Sequence, residues 1–80
     1  MTGRFELYES VKAILVNDLQ LSEIEVTPKA KCADIGLDSL AVTELAAVLW
    51  TRLKVEVADY ELLDAATVED VVRLIEGRTK

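Results

Sequence analysis

From Leu37 to Glu76 the chain contains neither glycine nor proline, and Ala, Leu, Val and Glu dominate. That composition favours helix, and with three glycines and one proline among 80 residues the preference extends over the whole chain. Apolar spacing says where the helices lie. Leu7, Val11, Ile14, Leu15 and Leu19 recur at helical intervals and predict a first helix from about Arg4 to Leu19, with Thr2 as its cap and Phe5 and Tyr8 closing one end of the bundle. Val42, Leu45, Leu49 and Leu53, with Val48 at the margin, predict a second helix from Ser39 to Leu53, capped by Asp38 and turned toward the first. Val55 to Ala58 reads as extended. Asp59 then caps a short helix through Leu63, and Thr67-x-x-Asp70 opens a last helix striped by Val68, Val71, Val72 and Ile75, with Gly77 as its stop.

Between Gln20 and Asp38 the periodicity breaks. Thr27-Pro28 disfavours helix, while Leu21, Ile24, Val26 and Ile35 suggest a long loop pinned to the core at intervals. Such loops are usually functional in small domains. The expected fold is all-α: residues 1–80 as one domain, a bundle of three main helices plus one short helix, with the long loop between helices 1 and 2.

Composition narrows the function classes. An apolar fraction of 51% with 30% charged residues describes a globular chain. Its net charge of −6 would be repelled by phosphate backbones, so nucleic acid is not an expected partner. Proteins presenting Arg and Lys are. The acidic excess concentrates in Val55 to Asp70, where Glu56, Asp59, Glu61, Asp64, Glu69 and Asp70 stand without a base. With no histidine and a lone Cys32, no Ser-His or Cys-His centre, internal disulfide or familiar metal site can be assembled. No catalytic residues and no metal ligands are expected. Glu6 and Glu9 stand where a signal peptide would be apolar, and Leu45 to Trp50 is too short to span a bilayer, so the expectation is a cytoplasmic protein without a membrane partner.

One residue stands out from this plain background. Ser39 lies where the polar loop meets the apolar second helix, behind Asp34-Ile35-Gly36-Leu37-Asp38. Asp38 and Ser39 are ordinary cap residues, and spacing alone reads them as that. Without a positioned base Ser39 is no activated nucleophile. A serine can instead be a substrate. A helix N-terminus offers free N–H groups and a positive dipole end to a phosphate on that hydroxyl, and Gly36 gives the preceding turn latitude.

The stretch Asp34-Ile35-Gly36-Leu37-Asp38-Ser39-Leu40 resembles the phosphopantetheine attachment site of acyl carrier proteins, whose core is Leu/Ile-Gly-x-Asp-Ser-Leu. The likeness continues in Val11-Lys12-x-Ile14-Leu15, Glu25-Val26-Thr27, Glu44-Leu45, Val57-x-Asp59 and Thr67-Val68, and so covers nearly the whole chain. It implies a monomeric carrier rather than an enzyme. Its Ser39 would receive 4'-phosphopantetheine from coenzyme A through a phosphopantetheinyl transferase, with Asp38 assisting. Further partners would be an acyl- or aminoacyl-loading ligase or acyltransferase, and a ketosynthase or other acyl-processing enzymes. They would meet a surface built from Leu37, Leu40, Thr43, Glu44, Ala47, Trp50, Val57 and Asp59.

The chain also departs from that pattern. Fatty-acid carriers have an acidic second helix, whereas here it keeps Glu44 alone, with Ala41, Trp50 and Thr51 at positions often acidic, and Arg52 after them. Peptidyl carriers usually have glycine where Leu37 stands. These departures point to a discrete carrier of polyketide or hybrid polyketide–peptide biosynthesis, with a fatty-acid or D-alanyl carrier as the alternative. Trp50, about 16 Å from Ser39 along the outward side, is either a partner anchor or a side chain folded over the bundle's edge. The acidic run at 56–70 is either a solvated surface or a displaced docking patch, and Cys32 is a small packing residue. From a different class comes an unmodified helical interaction module that uses Leu37, Leu40 and Trp50.

Overall fold

The computed structural model describes the backbone of residues 3–78 and the side chains of residues 6–78. Four α-helices follow one another: α1 Gly3–Ala13, α2 Ser39–Val48, α3 Asp59–Asp64 and α4 Val68–Arg78. The described residues contain no strand, and one isolated antiparallel bridge joins Lys31 to Thr67. The expected all-α bundle, three main helices with a short one and a long loop after the first, is the architecture observed. No helix among the described residues is long and apolar enough to cross a membrane.

α1 and α2 end in the same way. α1 widens into a π-helical turn over Ile14–Asp18, and α2 does so over Leu49–Leu53, so each apolar stripe runs on as far as the spacing predicted. A residue in the left-handed region then stops the helix, Gln20 at φ 61° and Lys54 at φ 58°. The next N–H folds back: Leu21 donates to the Leu15 carbonyl at 3.0 Å and Val55 to that of Leu49 at 3.3 Å. Glycine is the usual residue at such a stop, because it pays no Cβ penalty there. Neither stop is signalled by its residue type.

The core is aliphatic. Val11, Ile14 and Leu15 of the first helical segment meet Val42, Leu45 and Leu49 of the second, and Val68, Val71, Val72 and Ile75 complete the interior from α4. Thr67 caps α4 through a reciprocal box: its hydroxyl accepts the Asp70 N–H at 3.2 Å, while Asp70 Oδ2 accepts the Thr67 N–H at 3.3 Å. Three expectations are corrected. α3 begins at Asp59 itself with Ala58 as cap, because the Glu61 carboxylate reaches back to the Ala58 N–H at 3.1 Å. Gly77 lies inside α4, which runs to Arg78; with nothing within 4 Å of the place a Cβ would occupy, it is an exposed helical glycine rather than a stop. Ile24 is 88% exposed and pins nothing, since it sits on a turn closed by the Glu25 and Val26 N–H groups donating to Ser22. The expected Thr2 cap and the packing of Phe5 fall outside the described residues.

The long loop is held by backbone as well as by side chains. Val26, Cys32, Ile35 and Leu37 are buried, and Tyr8 donates its hydroxyl to the Val26 carbonyl at 3.4 Å. Three backbone hydrogen bonds then join the loop to the start of α4: Cys32 N–H to Ala66 at 2.9 Å, Val68 N–H to Ala30 at 3.0 Å and Glu69 N–H to Pro28 at 2.8 Å. Burial pushes the Cys32 thiol up from its ordinary pKa, and the Asp70 charge adds to that, so it stays a neutral packing group.

Candidate functional site

The loop enters the core twice just before α2. Ile35 and Leu37 are buried on either side of Gly36, whose φ of +93° reverses the backbone between them. The Leu37 N–H closes the turn on the Cys32 carbonyl at 2.9 Å. A residue with a Cβ rarely adopts that φ, so glycine is required here by conformation. The space beside it is adequate, because an added Cβ would lie 3.7 Å from Leu21 Cδ2, an ordinary contact.

With Leu37 anchored, the next three residues are turned outward, and Asp38, Ser39 and Leu40 are all exposed. Asp38 is extended and caps α2, its Oδ1 accepting the Ala41 N–H at 2.9 Å and its carbonyl accepting the Val42 N–H at 2.9 Å. Ser39 is the first residue of the helix. One turn on, the Thr43 hydroxyl lies 3.1 Å from the Ser39 carbonyl and 3.1 Å from Asp59 Oδ2. Its single proton serves one acceptor at a time, and when it is given to Asp59 it ties α3 to α2 one turn beyond Ser39.

The expected partner-facing set divides on burial. Leu40, Thr43, Glu44, Ala47, Trp50 and Asp59 are exposed, with Leu40 the most prominent at 80%. Leu37 and Val57 are not on the surface. Leu37 is drawn into the core by the turn at Gly36, and Val57 packs inward from the extended segment before α3. Trp50 is 55% exposed, with Lys54 Nζ 5.9 Å from its ring centroid, so it stands out from the bundle beneath a cation.

Two links to this region have no local signature in the sequence. Arg52 grips Asp18 through Nε at 2.8 Å and Nη2 at 3.2 Å, joining the far end of the second helical segment to that of the first. Arg78 bonds the Glu56 carbonyl and the Glu61 carboxylate, joining α4 to α3.

The loop thus anchors twice, at Ile35 and Leu37, and then presents an exposed serine at the start of a capped helix. Residues 9–75 match the family described as "Phosphopantetheine attachment site". Curated relatives named acyl carrier protein agree over nearly their full length. That of Helicobacter hepaticus is 39% identical over 73 residues, spanning 90% of this chain and 96% of the relative. Those of Wolinella succinogenes and Helicobacter pylori are 38% and 37% identical over 71 residues, spanning 88% of this chain and 93% and 91% of the relatives. The class is that of phosphopantetheine-bearing carriers rather than catalysts. The chain belongs to the acyl carrier protein family, and the covalent group that goes with it is 4'-phosphopantetheine.

Proposed function

We propose that Ser39 is the residue that receives the phosphopantetheine, and that the 1–80 chain works as one carrier domain. The observation that carries this is the presentation of its hydroxyl: exposed, on the first residue of α2, behind a loop fixed by Ile35 and Leu37. That setting leaves room for a bulky group while holding its attachment point still, and the helix N-terminus favours the phosphodiester charge. The group supplies a terminal thiol on which acyl chains are held as thioesters. Asp38 fixes the start of α2 through its cap on Ala41 and, as the residue before Ser39, offers its exposed carboxylate to a phosphopantetheinyl transferase. Incubation with coenzyme A, magnesium and a broad-specificity transferase adds one phosphopantetheine by intact mass, and Ser39→Ala abolishes the gain. No mass change in the parent chain refutes the reading.

For the partners, we infer enzymes of polyketide or hybrid polyketide–peptide assembly: a loading ligase or acyltransferase, and a ketosynthase. The support is the outer face of α2 and its continuation, where Glu44 is followed by Ala47 and the exposed Trp50 in place of a run of carboxylates. A large, rigid ring suits a dedicated interface better than one shared among many enzymes. Trp50→Ala lowers loading or transfer by such enzymes about tenfold or more while leaving mass gain at Ser39 intact. Unchanged rates with every enzyme of the panel remove Trp50 from the interface.

A further inference from the structure

α3 is only six residues long and has one buried side chain, Leu62. Tyr60 and Leu63 stand 73% and 51% exposed. A helix this short does not hold itself in water. The buried leucine fixes its depth, and Val57 and Ala65 anchor the chain on either side of it; its rotation about its own axis is set further by the polar links around its first turn. Among the described residues one polar contact closes the cap of α3 itself, and two side chains on other helices, Thr43 and Arg78, link it to the bundle. Glu61 Oε1 accepts the Ala58 N–H at 3.1 Å. Asp59 Oδ2 lies 3.1 Å from the Thr43 hydroxyl on α2. Arg78, at the end of α4, donates through Nη1 to the Glu56 carbonyl at 3.2 Å and through Nη2 to Glu61 Oε2.

Arg78 alone among these grips both the segment entering α3 and a side chain within it. A planar guanidinium holding two acceptors sets direction as well as distance. We propose that Arg78 is a positioning residue of the carrier surface: it sets the rotation of α3 and so keeps Asp59 against Thr43, one turn along α2 from Ser39. With Arg78 in place, partner enzymes meet α2 and α3 as one surface. Without it, Leu62 stays seated but α3 pivots, and that surface is sampled in several settings. The chemistry at Ser39 is untouched. Loss of Arg78 therefore weakens capture by the transferase and spares the transfer step. The kinetic half of this proposal rests on Ser39 being the attachment residue; the structural half does not.

The test uses the full chain with Arg78→Ala, Arg78→Lys and Glu61→Gln. Amide hydrogen exchange is read at Glu61 and Leu62, whose N–H groups donate to the Ala58 carbonyl, and at Val42 and Val71 as references in α2 and α4. Arg78→Ala speeds exchange at Glu61 and Leu62 about tenfold and leaves the references unchanged. Lysine, a single point charge, restores part of the protection, and Glu61→Gln, which keeps an acceptor for Ala58, shows a smaller loss in the same place. Transferase kinetics on Arg78→Ala show KM raised several-fold with kcat within about twofold. Unchanged exchange at Glu61 and Leu62 overturns the proposal, as does equal acceleration at all four amides, which would make Arg78 a contributor to general stability. Altered exchange with an unaltered KM overturns its bearing on partners. If the parent chain is not modified at all, the kinetic half falls with the reading of Ser39, while the exchange data still decide the structural half.

Discussion

Replacing Gly36 with alanine isolates the turn that exposes Ser39. At φ +93° the glycine occupies a conformation that an L-residue enters at a cost of about 1–3 kcal/mol. Against this, alanine stiffens the unfolded chain, which returns about 0.4–1 kcal/mol. No clash adds to the penalty, since the new methyl would meet Leu21 Cδ2 at 3.7 Å. Relaxing the backbone to a negative φ is no escape. Ile35 and Leu37 flank the turn at 8% and 5% exposure, and a changed reversal would lift one of them from the core. Withdrawing either side chain costs about 1.5–3 kcal/mol, as much as the strain it would relieve. The net loss is therefore about 1–2 kcal/mol, a sizeable part of the roughly 4–12 kcal/mol available to a chain of this length. In a domain this small it lowers Tm by roughly 5–15 °C, measured by circular dichroism at matched concentration. A D-alanine at the same position, introduced by chemical synthesis, prefers φ of the opposite sign and largely restores Tm. A fall of less than about 2 °C for the L-alanine variant would refute the reasoning, because the loop would then be free to remodel without loss.

Further outcomes follow from the cap and from the acidic end of α3. Asp38→Ala loses the side-chain bond to Ala41 and costs about 1 kcal/mol, while Asp38→Asn keeps an acceptor there and stays within a few tenths. Urea unfolding measures both, and the asparagine variant nonetheless gains phosphopantetheine more slowly in a timed mass assay; a rate equal to that of the parent chain would show that the Asp38 charge plays no part. The Arg78 hydrogen bond, helped by the Ala58 N–H, holds the Glu61 carboxyl below its ordinary pKa. A folded-state value below the unfolded one means that this contribution is fully present above about pH 4.3 and is lost as pH falls through the lowered folded value. Part of the movement of the Tyr60 to Leu63 amide shifts in that acid window is therefore lost in Glu61→Gln, while the flanking Asp59 and Asp64 still contribute theirs; identical titrations of the two chains would contradict the assignment.

The features legible in the sequence are those set by near neighbours. Asp38 before an apolar stripe, Thr67 three residues from Asp70, and the 3–4 spacing of Val42, Leu45 and Leu49 each act within about one turn, and each appears in the structure as read. The loop is less legible. Ile24 and Val26 are equally apolar, yet Ile24 is 88% exposed and Val26 fully buried, because turn geometry decides which side chain faces the core. Leu37 departs from the expected surface position for the same reason: the reversal at Gly36 turns it inward while Leu40, three residues on, points out. The pairings Arg52–Asp18, Thr43–Asp59 and Arg78–Glu61 join elements far apart in the chain. Their charges and hydroxyls were visible, but nothing local said which would meet.

The three backbone bonds between the loop and the start of α4 also bear on the order of events during synthesis. Each spans more than thirty residues of sequence, so its closure entropy must be met before it contributes anything. A chain emerging N-terminus first exposes α1, the loop and α2 while the carbonyl of Ala66 and the N–H groups of Val68 and Glu69 have yet to appear. During that interval Cys32, Ile35 and Leu37 lack part of what seats them, and Ser39 rides on an unfastened segment. If Ser39 is the attachment residue, a nascent or C-terminally truncated chain would offer it on a segment that the start of the last helix has not yet fastened.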